Sequence, residues 1–171
     1  MNHARLPVLV ALAAVAFTGT TALRAQRRPR GPEFPQPLLA LAISNLSFGL
    51  VLPGVPHTVL PRDSRNAGLF QVRGPAGASV RIDFVMPAAL RLDNGGALLP
   101  LSFGPGDGVA SFTRDPDTGG SPFNPHTPVI GSLGPGGFLY LRVGGTALPD
   151  RPQDGGEYHA TIYLTVSDLG S

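Results

Sequence analysis

The chain contains no cysteine, no tryptophan and no lysine. Without cysteine there is no disulfide to staple a small fold, no thiolate nucleophile and no cysteine metal site. That absence does not argue against export, because a periplasmic domain can fold without disulfides. The missing lysine leaves arginine as every cationic side chain, thirteen in all; nothing structural in the sequence explains this. Catalytic signatures are missing too. There is no H-E-x-x-H for a zinc protease, no G-x-S-x-G elbow for a nucleophilic serine, and no G-x-G-x-x-G or P-loop for phosphates. A Ser/His/Asp triad can assemble from distant positions, but without an elbow the chain reads as a non-enzyme with no cofactor.

Long apolar runs are also scarce. The longest is Leu6 to Phe17, twelve residues, against the roughly 20 needed to span a bilayer. His3 and Arg5 precede it, and the small residues of Thr18 to Ala25 follow it. Residues 1–25 therefore read as a secretory signal peptide with a cut after Ala25. With no cysteine after the apolar run, a lipoprotein anchor is excluded. No membrane span is expected in the mature chain, and the expected location is the periplasm, the outer surface or the extracellular space.

The sequence pI near 9.7 suggests a nucleic-acid binder. The distribution of charge does not. Arg5 and Arg24 lie in the leader, and Arg27, Arg28 and Arg30 lie in a Pro-punctuated tail, residues 26–37. From Leu38 onward eight Arg face ten acids, so no basic stripe awaits phosphates. The tail has the composition of an extended, unpacked spacer.

What the chain does have is 23 Gly and 19 Pro, clustered between short apolar runs as turn punctuation. Residues 38–171 suffice for one modest domain. The segment Asp154 to Val166 shows the clearest period of two: Tyr158, Ala160, Ile162, Leu164 and Val166 on one face, Glu157, His159, Thr161, Tyr163 and Thr165 on the other. It is expected to be one closing strand. Ser79 to Met86 alternates likewise, with Val80, Ile82, Phe84 and Met86 inward. With Leu69 to Arg73 and the turn Gly74–Gly77 it is expected to form a hairpin. Asp93-Asn-Gly-Gly96 is a second tight-turn signal, between Ala89–Leu92 and Ala97–Phe103. Leu38 to Leu50 alternates imperfectly, and a bulge near Ser44 reconciles its halves. The sum is an all-β, immunoglobulin-like antiparallel sandwich of seven to nine strands, with Phe48, Phe70, Ile82, Phe84, Tyr158, Ile162 and Val166 as structural residues.

Asp154-Gly-Gly-Glu-Tyr158 is similar to the tyrosine corner of immunoglobulin-like sandwiches. More broadly, Leu46-Ser-Phe-Gly49, Ala67 to Gly74, Val80 to Pro87, Val143 to Thr146 and Gly156 to Val166 resemble, in that order, a family of exported bacterial proteins of unknown function with a fimbrial or pilin-like adhesin sandwich. The resemblance implies a domain at the cell surface or in an appendage, with no catalytic residues and with other surface or appendage proteins, itself included, as partners. Pilin-like subunits borrow a strand from a neighbour by β-augmentation. Residues 26–37 carry four prolines and lack the alternating apolar residues of a donor, so a self-complemented fold is expected.

Two surface features remain. Residues 115–137 read as a long Gly/Pro-rich loop, and Asp115 and Asp117 in it resemble half a calcium loop. Calcium needs six to eight oxygens, and position twelve from Asp115 is His126. A solvated turn is the simpler account, and a ligand- or calcium-binding accessory domain is the alternative reading of the chain. Phe138, Tyr140 and Arg142 share the outward face of one strand, with Tyr163 near them: either a surface suited to protein or glycan contact, or a second layer packed beneath the long loop.

Overall fold

Short apolar runs cut by Gly and Pro cannot extend into long helices, and none forms among the described residues, 36–93, 95–115 and 119–170 of the computed structural model. The leader, most of the tail, Asn94 and Asp117 lie outside the described residues. The described residues all belong to the unit Phe34–Ser171. In chain order the strands are β1 (Leu39–Ser44), β2 (His57–Val59), β3 (Gly68–Arg73), β4 (Ser79–Val85), β5 (Ala89–Leu92), β6 (Leu98–Ser102) and β7 (Gly108–Ser111). There follow β8 (Ser121–Phe123), β9 (Val129–Ser132), β10 (Phe138–Val143), β11 (Gly145–Ala147), β12 (Tyr158–His159) and β13 (Tyr163–Asp168). They form three sheets, ordered β1-β3-β10-β7-β8, β12-β5-β6-β11-β2 and β13-β4-β9. The architecture is an all-β antiparallel sandwich.

The first and third sheets enclose the larger core, in which Val72, Val80, Ile82, Leu141 and Val143 are fully buried. Phe70, Phe84 and Phe123 bridge these layers, with ring centroids 5.5 Å and 5.7 Å apart along the row. Gly108 makes room for that row: a Cβ there would lie 2.4 Å from the Phe123 ring. A smaller core of Phe48, Val59, Ala67, Leu99 and Ala147 sits on the second sheet. Of the seven structural residues named from sequence, Phe48, Phe70 and Ile82 are buried. Phe84, Ile162 and Val166 are half-buried against the larger core, and Tyr158 against the smaller.

Three expectations need correction. First, β3 and β4 do not form a hairpin. β3 pairs with β1 and β10, and β4 pairs with β13 and β9. The turn between them crosses from one layer to the other, and its Gly74 and Gly77 donate to the carbonyls of Gly137 and Leu133 at 3.0 and 3.1 Å. The inward rows Phe70, Val72 and Val80, Ile82 therefore face each other across the core. Alternation looks the same in an arch as in a hairpin, because it reports burial and not partner.

Second, the strands number thirteen among the described residues. Residues 115–137 are not one loop, since β8 and β9 lie within them. Gly144 also separates β10 from β11, because the chain there passes from the first sheet to the second. A Cβ at Gly144 would stand 2.2 Å from the Val59 carbonyl oxygen and 2.8 Å from the Pro61 nitrogen.

Third, the closing strand is two strands. β12 pairs with β5 and β13 pairs with β4. Together they form one long antiparallel ribbon with a break at residues 160–162 opposite residues 86–90. From His159 to Tyr163 the chain advances four residues while its partner goes back six, from Arg91 to Val85. Ala160 falls in that break and is exposed instead of facing the core.

Other features follow the sequence. The register of β1 on β3 shifts between Ala42 and Ser44, which is the bulge. β5 and β6 pair around the Asp93–Gly96 turn, with Gly95 and Gly96 at φ of 81° and 95°. The Tyr158 hydroxyl donates to the Asp154 carbonyl at 2.7 Å, completing the tyrosine corner, and accepts from Gln153 Nε2 at 2.7 Å.

Candidate contact surface

The outer face of the first sheet follows from its register. Phe138 and Leu39 both lie opposite Arg73, and Tyr140 and Leu41 both lie opposite Gln71. These side chains share one face. Leu39, Leu41 and Phe138 remain 39%, 40% and 38% exposed, which is high for large apolar groups packed in a row. The Phe138 and Tyr140 rings stack with centroids 6.3 Å apart, and Gln71 Nε2 donates to the Tyr140 hydroxyl at 3.1 Å.

Arg142 does not belong to this surface, although it shares the strand and the parity. It is 8% exposed, and its Nη2 donates to the Arg114 carbonyl at 2.9 Å. It lies opposite Leu69 and Val109, both buried, on the part of the face that the chain after β7 covers. Gly120 sits against Val109 there. Arg142 thus anchors that connection. Tyr163 is not near the surface either: it belongs to the third sheet, opposite Val85, and both are 64% exposed.

Among the described residues, β1 closes this sheet as an edge. Its six residues, Leu-Ala-Leu-Ala-Ile-Ser, are all exposed and include no charge and no proline. Edge strands ordinarily carry such groups, because unpaired N–H and C=O groups invite another strand.

Among the described residues, clefts open on the flanks of the sandwich. One, of about 820 Å³, lies between β1 and residues 153–162 and is walled by Phe48, Phe70, Leu90 and Ile162. Another, of about 670 Å³, lies between β8 and β9 and is walled by Phe112, Phe123, Val129 and Ile130.

Charge plays a small part in these features. On β4, Arg81 meets Asp83 through two hydrogen bonds of 2.8 and 3.0 Å, which lower the Asp83 carboxyl pKa and raise that of Arg81. The Asp63 carboxyl is lowered chiefly by the Asn66 side chain and then by the Arg65 and Asn66 backbone N–H groups, which it holds in a turn. Asp63 shapes the backbone, Asp83 meets only the Arg81 side chain, and neither faces a cleft-lining partner. Of the suggested calcium pair, Asp115 is exposed at the end of the β7 connection, and Asp117 lies outside the described residues.

One grouping escaped the sequence reading. Asp93, Glu157 and His159 are exposed and converge from two segments far apart in the chain. An acid-x-His pair on one strand face beside a D-N-G-G turn was the only signal, and nothing in the sequence says that those strands pair.

No family model, no curated protein and no solved structure matches this chain.

Proposed function

We propose that the chain is an exported, non-enzymatic structural or adhesive module, a fimbria-like or cell-surface assembly subunit. It docks other surface or appendage proteins, or a second copy of itself, along β1 and the adjoining Leu39, Leu41, Phe138 and Tyr140 face. The observation that carries this reading is the uncharged, proline-free strand that forms the sheet edge among the described residues, each of its six residues exposed. A bare edge is a hazard in an isolated domain and an asset where a partner strand is to be added. The leader of residues 1–25 supports export, and the sandwich with its tyrosine corner agrees with the adhesin resemblance.

The test is sedimentation velocity of the purified chain over a concentration series, with pull-down from cell-surface extracts. Concentration-dependent assembly, or capture of a surface protein, is expected. Either should be lost in Leu41→Lys, which sets a charge beside the edge. A wild-type chain that stays monomeric and captures no surface component refutes the reading.

The second reading, a ligand-binding accessory domain using residues 115–137, is favoured by the apolar cleft between β8 and β9. Its calcium form requires a rise in melting temperature on adding calcium.

A further inference from the structure

We propose that Asp93, Glu157 and His159 form a three-ligand site for a divalent transition-metal ion of the zinc class, at the mouth of the cleft beside β1. Each residue offers one ligand atom, and the three atoms lie within 4.8 Å of one another. His159 Nε2 is 3.3 Å from Asp93 Oδ1 and 3.9 Å from Glu157 Oε2. Zinc bound tetrahedrally to nitrogen and carboxylate oxygen, with bonds of about 2.0–2.2 Å, separates its ligand atoms by roughly 3.4 Å. The side chains therefore stand near ligand spacing already, and rotamer adjustment in exposed groups closes the rest.

The backbone holds them there. Asp93 N–H donates to the Glu157 carbonyl at 3.0 Å, and His159 pairs with Arg91 in the β12–β5 ladder. That ladder sets two carboxylates across from each other, an arrangement unfavourable between strands, and a cation between them reverses its sign. One imidazole with two carboxylates is a mixed donor set that suits zinc. Calcium and magnesium prefer an all-oxygen shell.

Two of the three residues also border a concavity. Glu157 and His159 also line the cleft of about 820 Å³, whose remaining walls are largely apolar. Three protein ligands leave zinc a fourth position for water or for a donor atom from whatever enters the cleft. The inference does not depend on assembly through β1.

Titration calorimetry of the full-length chain with zinc chloride, in a non-coordinating buffer, tests it. One saturable equivalent is expected. His159→Ala should weaken the affinity at least tenfold, as should Asp93→Asn and Glu157→Gln, while magnesium and calcium in excess should not compete. All three side chains are exposed, so unchanged circular dichroism will show that the variants fold. His57→Ala and His126→Ala should bind as the wild type does. No saturable zinc binding overturns the proposal, as does binding that survives His159→Ala or disappears in His57→Ala or His126→Ala.

Discussion

Replacing Tyr158 by Phe removes one oxygen atom and leaves the ring. That oxygen donates to the Asp154 carbonyl and accepts from Gln153 Nε2, each at 2.7 Å. A neutral hydrogen bond contributes about 1 kcal/mol net. The larger penalty for a stranded buried group does not apply, for two reasons. Asp154 is exposed, so water can take the place of the hydroxyl, and Gln153 Nε2 keeps its bond to the Leu98 carbonyl at 3.2 Å. The expected loss is therefore about 1–2 kcal/mol, with packing on the smaller core intact. In a domain of this size that lowers Tm by roughly 3–7 °C. Urea unfolding followed by circular dichroism should give a lower midpoint with an unchanged slope. A double-mutant cycle with Gln153→Ala should return a coupling of at least about 0.5 kcal/mol. A Tyr158→Phe variant within about 0.3 kcal/mol of wild type refutes the reasoning, since the corner hydroxyl would then contribute nothing measurable.

Gly144→Ala should cost more than about 3 kcal/mol or abolish soluble expression, because the new methyl meets backbone of Val59 and Pro61 that has nowhere to go. Gly155→Ala, with nothing within 4 Å of its Cβ position, is the neutral control in the same thermal melts. Acidification should destabilise the fold through Asp63 and Asp83, whose carboxyl pKa values are lowered in the folded state. The unfolded chain takes up these protons first, near pH ~4. Both groups thus stabilise the fold above that pH, and their contribution fades as the pH falls toward the lower folded values. Melting temperature against pH should drop below about pH 5, and Asp63→Ala should show a shallower drop.

Much of the architecture was legible because burial imprints a period on each strand. Val80, Ile82 and Phe84 announced an inward row, and the broken alternation at Asn45 announced the bulge near Ser44. Asp154 and Tyr158, four residues apart, foretold a bond that side-chain reach nearly dictates. Partnership was not legible. Phe70 and Ile82 alternate identically whether their strands pair or face each other, so the Gly74–Gly77 arch passed for a hairpin. Arg142 has the parity of Tyr140, yet it is buried, because the cover over that end of the face comes from a segment about 30 residues earlier, through Arg114. The same blindness hid the Asp93, Glu157 and His159 grouping, which exists only once β12 is laid beside β5. The edge character of β1 was hidden for the same reason: six uncharged residues look like core until the sheet order shows that, among the described residues, only β3 pairs with them.

The break in the β4–β5 and β12–β13 ribbon acts as a detent. A plain two-stranded ribbon can slide by two residues and keep every side chain on its proper face. Here the β4–β5 side carries two more residues than its partner between the paired halves, so a slide would draw residues from the break into one ladder and push paired ones out of the other. The molecule thereby fixes the alignment of its last strands without a disulfide, using only a mismatch in how far each strand travels around the bend.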